Sequence, residues 1–362
     1  MSEYVPMPTE TSILHSEPRS VPMNRDLFRG AQTDAAGEPA LSLRPTLHDV
    51  IQARRRIAPY VTRTPLHRYI ALEKMLGAAE LYVKHENHQR LGAFKMRGGI
   101  NLISQMSDEE RARGVATASS GNHGQSIAYA AMVFGAKAVV AVPGNANPGK
   151  VESMRNLGAE VIFHGAYFDE SREFVERLSR EEGYRYIHAV NEPMLVAGVA
   201  TYSLEIMEDL PDADVIVVPI GGGSGACGAC IVAKGLNPAV QVVGVQAEAA
   251  PAVYLSWKEG RVVQAPMRSV AEGLATGTGY QLTLDILRDH LDDFVLVSDE
   301  EMEQAMVLHL EKTHNLTEHA GAASLAGAIK IKDRLAGKKV VLVMSGGNTS
   351  LQHLKAALAR SS

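Results

Sequence analysis

One lysine carries the strongest chemical hint in the chain. Leu91-Gly92-Ala93-Phe94-Lys95-Met96-Arg97-Gly98-Gly99 follows a strand-like run, Glu80 to Lys84, and leads into an apolar-periodic segment, Ile100 to Met106. That order puts Lys95 behind an aromatic ring in the first turn of a helix. Shelter from water and a positive helix end both push an amine below its free pKa of about 10.4. A neutral amine can attack an aldehyde, which is how Schiff-base lysines form. An isolated Phe-Lys pair is more simply a surface lysine. Three other segments lift Lys95 above that reading.

Ser119-Ser120-Gly121-Asn122-His123-Gly124-Gln125 lies between a strand pattern and a helix pattern, where open α/β sheets bind ligands. Amides and hydroxyls at a helix start suit a carboxylate or a phenolate oxygen. Capping the helix needs only one such residue, and this stretch supplies several. Gly221-Gly222-Gly223-Ser224-Gly225 also joins a strand to a helix and reads as a phosphate cup. It matches neither the ATP-binding P-loop nor, closely, the dinucleotide glycine pattern. Ser345-Gly346-Gly347-Asn348 again follows a strand, and its serine hydroxyl can face a heterocycle nitrogen. Cys227-Gly228-Ala229-Cys230 spells C-x-x-C. Small residues that let a helix pack closely explain it better than redox chemistry, and zinc would need a second pair of ligands.

The elements that must position these residues alternate. Strands are expected at Val115–Ala118, Ala138–Val142, Glu160–Phe163, Tyr184–His188, Val215–Ile220, Gln241–Gln246 and Lys339–Met344. Helices lie between them, including one from Met194 to Leu210. Such alternation means βαβ units around a mostly parallel sheet. Thr46 to Ile57 has helical spacing. Residues 1–44, broken by prolines and without period, read as a disordered tail.

Composition sets bounds. The 362 residues are 46% hydrophobic and 21% charged, with net charge −5, enough for two lobes and a substantial core. No basic run suggests nucleic acid as a partner. The longest apolar stretch, Ile127 to Pro143, breaks at Gly135 and Lys137, so it is not expected to cross a membrane. Two cysteines and no secretory signal fit a reducing, cytoplasmic setting.

In this order and spacing the four segments resemble the fold-type II pyridoxal-phosphate enzymes, and within them the threonine/serine dehydratase and serine racemase branch. The similarity runs from about Thr46 to the C-terminus. It implies an α/β fold of two lobes, with open, twisted, mostly parallel sheets flanked by helices. The large cofactor-binding domain would comprise 45–112 and 192–362, and the small substrate-side domain 113–191. The resemblance implies pyridoxal 5'-phosphate as cofactor and Lys95 as the catalytic lysine that holds it as a Schiff base. Phe94 would pack beside the ring and Asn122 would bond the ring hydroxyl. Gly221, Gly222, Gly223, Ser224 and Gly225 would hold the phosphate, and Ser345 would face the pyridine nitrogen. Ser119, Ser120, Asn122 and His123 would line the substrate side, with Ser120 the second-face acid/base in racemases. Gly273 matches a backbone segment closing over the ring, and Arg172 a substrate-proximal arginine.

The chain departs from that pattern in places. Ala93 stands where serine is usual, and Ser224 replaces a glycine. Val199-Ala200-Thr201 replaces Gln-Gly-Thr, and Glu318-His319-Ala320-Gly321 replaces Glu-Pro-x-Gly. Gln246 and Ala252 stand where metal-binding members carry acids, so no structural cation is expected. The expected activity is dehydration of a β-hydroxy amino acid, L-threonine or L-serine, to a 2-keto acid and ammonia. The alternatives are a racemase, or a dehydratase for 3-hydroxyaspartate, phenylserine or a hydroxyectoine-derived amino acid. Further off stand a β-replacement synthase, a non-catalytic cofactor-binding protein and a nicotinamide dehydrogenase. The expected partner is a small amino-acid substrate, and the expected assembly a homodimer.

Overall fold

A computed structural model describes residues 44–144, 146–166 and 168–360. The expected tail lies outside them except for Arg44. Ten strands form two sheets. β1 (Leu66–Arg68), β2 (Glu80–His85), β7 (Val215–Pro219), β8 (Gln241–Ala247), β9 (Asp293–Val297) and β10 (Lys339–Met344) make a six-stranded sheet in the order β1-β2-β10-β7-β8-β9. β3 (Val115–Ala118), β4 (Ala138–Val142), β5 (Glu160–Phe163) and β6 (Arg185–Tyr186) make a four-stranded sheet in the order β5-β4-β3-β6. Only β1 runs antiparallel to its neighbour.

The strand sequences explain this arrangement. β3, β4 and β7 are buried along their whole length. Strands covered by helices on both faces read as unbroken apolar runs. Edge strand β5 is the contrast, with Glu160 and Phe163 exposed. β9, Asp-Phe-Val-Leu-Val, is a half-buried edge strand whose sequence signal is weak. The expected strand at Tyr184–His188 shrinks to the two residues of β6.

Helix boundaries follow their caps. Thr46 and Asp49 form a reciprocal capping box that starts the helix Leu47–Ile57. The expected helix from Met194 to Leu210 is interrupted at Ala200, giving Pro193–Val199 and Thr201–Asp209. There the Thr201 hydroxyl donates to Gly198 O at 2.7 Å, competing with the helical ladder. The helix after β3 starts at Asn122, three residues earlier than its apolar period suggests, so Asn122 and His123 sit in its first turn. Cys227 and Cys230 are free thiols, wholly buried in the core under the six-stranded sheet, and burial pushes both thiol pKa values up.

All four chemistry-bearing segments emerge beyond the carboxyl ends of strands: β2, β3, β7 and β10. That is where parallel sheets place ligands.

Candidate active site

Lys95 is the first residue of the helix Lys95–Ile103. Two glycines seat that helix. A Cβ at Gly98 would lie 2.8 Å from Leu195, and one at Gly99 only 2.4 Å from Ser126 Oγ. Ser126 Oγ in turn donates to Lys95 O at 2.7 Å, so the lysine backbone is tied to the helix Asn122–Phe134. Phe94 N–H donates to Ser345 O at 3.1 Å. The Lys95 amine donates to Ser224 Oγ at 2.8 Å and points at Ala189 O, 3.4 Å away. Two adjacent residues, Phe94 and Lys95, therefore join the segments after β2, β3, β7 and β10. Burial lowers the Lys95 pKa to about 8, with no carboxylate to oppose it.

The turn that receives the amine is rigid. A Cβ at Gly221 would fall 2.2 Å from Gly273 O, and one at Gly222 would fall 2.2 Å from a Val190 methyl. Thr283 Oγ1 donates to Gly222 O at 2.8 Å, and Tyr202 OH to Gly225 O at 2.9 Å. The turn opens the helix Ser224–Leu236, which has no side-chain cap. Its first N–H groups lack intrahelical acceptors and suit an anion. The Phe94 ring lies against Gly225, within contact distance of where a Cβ would stand.

Asn122 sits in a chain of side chains. It donates through Nδ2 to Glu318 Oε1 at 2.7 Å and accepts at Oδ1 from Asn348 Nδ2 at 2.8 Å. Asn348 Nδ2 also donates to Leu91 O at 2.7 Å. Burial raises the Glu318 pKa, opposed by nearby Lys150, which itself pairs with Glu272 at 2.5 Å. Sequence reasoning noted Glu318 and Asn348 only as motif letters.

His123 is held in one tautomer. Thr117 Oγ1 donates to Ile187 O at 2.8 Å, so its lone pair accepts from His123 Nε2 at 3.0 Å. That leaves His123 Nδ1 as a buried acceptor without a protein partner. Burial, then the nearby Lys95 charge, lowers the His123 pKa to about 3, so the ring is neutral. Ser119 Oγ accepts from Gly121 N–H at 3.2 Å. Ser120 lies in the same turn but makes no hydrogen bond to Lys95 among the described residues. His188 went unnoticed in the sequence. Its Nδ1 accepts from Val190 and Asn191 N–H, both at 3.0 Å, which leaves Nε2 as the donor. Its ring packs edge-on against Tyr280. Burial, Arg172 and Lys95 together lower its pKa to about 4. Arg172 pairs with Glu176 at 2.6 Å. Among the described residues no cluster of three or more His, Cys, Asp or Glu is arranged to hold a metal ion, and no helix is long and apolar enough to cross a membrane.

A half-buried amine of lowered pKa bonded to a glycine-rich helix start suits an aldehyde that carries a phosphate. Residues 57–346 match the family model described as pyridoxal-phosphate dependent enzyme. The chain belongs to that family. It is 41% identical over 304 residues to an L-threonine ammonia-lyase from Thermotoga maritima, covering 84% of this chain and 75% of that one. It is 35% identical over 309 residues to an L-threo-3-hydroxyaspartate ammonia-lyase from Saccharomyces cerevisiae, covering 85% and 94%. The fold superposes on a crystal structure of serine racemase from Dictyostelium discoideum with TM-score 0.79 and 36% identity, over 85% of this chain and 99% of that one. This enzyme is a pyridoxal-phosphate-dependent lyase of the threonine/serine dehydratase branch, with the fold-type II architecture.

Proposed function

We propose that this enzyme dehydrates L-threonine or L-serine: elimination loses water, and a water is taken up again when the released enamine hydrolyses to a 2-keto acid and ammonia. The observation that carries the proposal is the Lys95 amine, held 2.8 Å from Ser224 Oγ with its pKa lowered to about 8. Pyridoxal phosphate, when bound, supplies the electrophilic aldehyde and the sink for the electron pair left at the α carbon. The chain's residues do the rest. Gly221 to Gly225 and the helix start at Ser224 hold the phosphate. Phe94 would flank the ring, Asn122 would offer its NH2 to the ring oxygen, and Ser345 would face the ring nitrogen. Lys95 Nζ, neutral for a useful fraction of molecules near pH 8, takes the α proton. The free N–H groups at the Asn122 helix start, with Ser119, bind the substrate carboxylate. Ser120 is the candidate proton carrier on the opposite face in the racemase reading.

One observation favours a second substrate. His188, a donor through Nε2, and Arg172 are close enough to each other and to Lys95 that the charges of both depress the His188 pKa. Arg172 is paired with Glu176, so the Nε2 donor of His188 is the group that a second carboxylate would meet, as in 3-hydroxyaspartate, the substrate named for the yeast relative. We further propose that the lobes divide at 45–112 with 192–362 and at 113–191, and that the enzyme works as a homodimer in the cytoplasm.

The test is keto-acid release from L-threonine, L-serine and L-threo-3-hydroxyaspartate, with chiral analysis of the remaining amino acid. Pyruvate or 2-oxobutyrate as the main product supports the proposal, and oxaloacetate shifts it to the acidic substrate. Accumulation of D-amino acid without keto acid overturns it in favour of racemisation.

A further inference from the structure

The carboxamide of Asn122 has two possible orientations, and only one presents its NH2 group to an oxygen of a bound ligand. The surrounding bonds remove the choice. Asn348 Nδ2 donates to Leu91 O at 2.7 Å, and a backbone carbonyl can only accept. That fixes the Asn348 amide. The same nitrogen reaches Asn122 at 2.8 Å, so the atom it meets must be Oδ1. At the other end Asn122 Nδ2 lies 2.7 Å from Glu318 Oε1, which calls for a donor. Both ends of the chain therefore impose the same answer. Asn122 is left with one N–H that none of these partners takes.

We infer that Asn348 is a positioning residue, whose side chain sets the orientation of the Asn122 carboxamide and so the polarity of the edge that Asn122 shows to the cofactor. The inference rests on the proposed role of Asn122 as a cofactor ligand. Its logic is local to this chain. Asn348 Oδ1 is also the atom a side chain at Gly92 would strike, at 2.5 Å, so the amide is wedged against the turn that leads into Lys95. Asn348 thereby joins three of the four chemistry-bearing segments through a single nitrogen. Without that donor only the Glu318 contact holds the amide, and the share of Asn122 with its oxygen turned outward rises. An oxygen lone pair then faces an electron-rich ring oxygen where a hydrogen bond should be. A lost hydrogen bond of this kind weakens binding about tenfold.

Asn348→Asp decides the matter, because aspartate has the same shape but cannot donate. The measurement is pyridoxal 5'-phosphate binding to enzyme stripped of cofactor and reloaded, read from the absorption of the bound cofactor, with thermal melting recorded alongside. The expected result is binding about tenfold weaker for Asn348→Asp at an unchanged melting temperature. Asn348→Ser, which retains a donor, is expected to bind between the two, and it carries the test if the aspartate variant does not fold. In an Asn122→Ala background the Asn348→Asp effect should vanish, because nothing remains to orient. A full additional loss there would overturn the inference and make Asn348 a structural residue only. Wild-type binding by Asn348→Asp would also overturn it. Wild-type binding by Asn122→Ala would instead overturn the cofactor role of Asn122, and the inference with it.

Discussion

Lys95 and Arg97 are two cations two residues apart on one helix, and their surroundings are opposite. Arg97 is fully buried and saturated. It donates to Glu86 with two bonds of 2.8 Å, to Glu205 at 2.7 and 3.0 Å, and to Thr201 Oγ1 and Thr62 O. Lys84 closes the cluster by donating to Glu205 at 2.6 Å and Thr64 O at 2.7 Å. Two positive and two negative groups balance. Burial works against the Arg97 charge, but Glu86 and Glu205 outweigh it and raise its pKa. Lys95 has a serine hydroxyl and a backbone carbonyl and no counter-charge, so burial alone acts and its pKa falls to about 8. Burial of charge is common to both sites; compensation is what separates them. The compensated cation holds segments together, and the uncompensated one is ready to give up its proton.

The largest test of this contrast is functional. Lys95→Ala is expected to cut keto-acid release about 10³-fold or more and to abolish the visible absorption of bound cofactor. Full turnover in that variant would end the assignment. Next in size is structural damage at the other cation. Arg97→Met leaves buried Glu86 without its cation and Glu205 with Lys84 alone, and urea denaturation should show a loss of about 3–5 kcal/mol. Replacing Lys84, Glu86, Arg97 and Glu205 together by apolar residues should recover most of it. If Arg97→Met alone costs nothing, the cluster is not what holds this helix.

The smallest effect sharpens the comparison through pH. The folded-state pKa of Lys95 lies below its unfolded value of 10.5, so between about 8 and 10.5 the unfolded chain binds more protons. Cofactor-free enzyme should therefore gain stability as pH rises through that window, by at most about 1.4 kcal/mol per pH unit. Lys95→Met should lack the gain. Equal slopes for the two proteins would mean the amine is better solvated than its surroundings suggest. Capture of added cofactor by the wild-type enzyme should quicken over the lower part of the same range, as the amine loses its proton.

Much of this site was legible because its parts are local. Glycine spacing, a lysine after an aromatic, and hydroxyl-rich strand ends each fit within about nine residues, and each obeys a rule of turn or helix-start chemistry. The alternation of strands and helices was legible because β3, β4 and β7 are covered on both faces and leave unbroken apolar runs. β9 escaped because a half-buried edge strand of five residues imposes little pattern. The bonds from Asn122 to Glu318 and Asn348 span 196 and 226 residues, and no window along the chain holds both ends. The Lys84–Glu86–Arg97–Glu205 cluster is hidden for the same reason: charged residues carry no sign in the sequence that they are buried.

Cys227 and Cys230 sit one helical turn beyond the glycine cup, sealed in apolar surroundings that disfavour the thiolate. Oxidants and alkylating agents find no accessible thiol on the native molecule among the described residues. Any thiol chemistry has to wait until the helix Ser224–Leu236 comes away from the sheet. Modification of either sulfur would therefore report that the proposed phosphate-binding turn has already come apart.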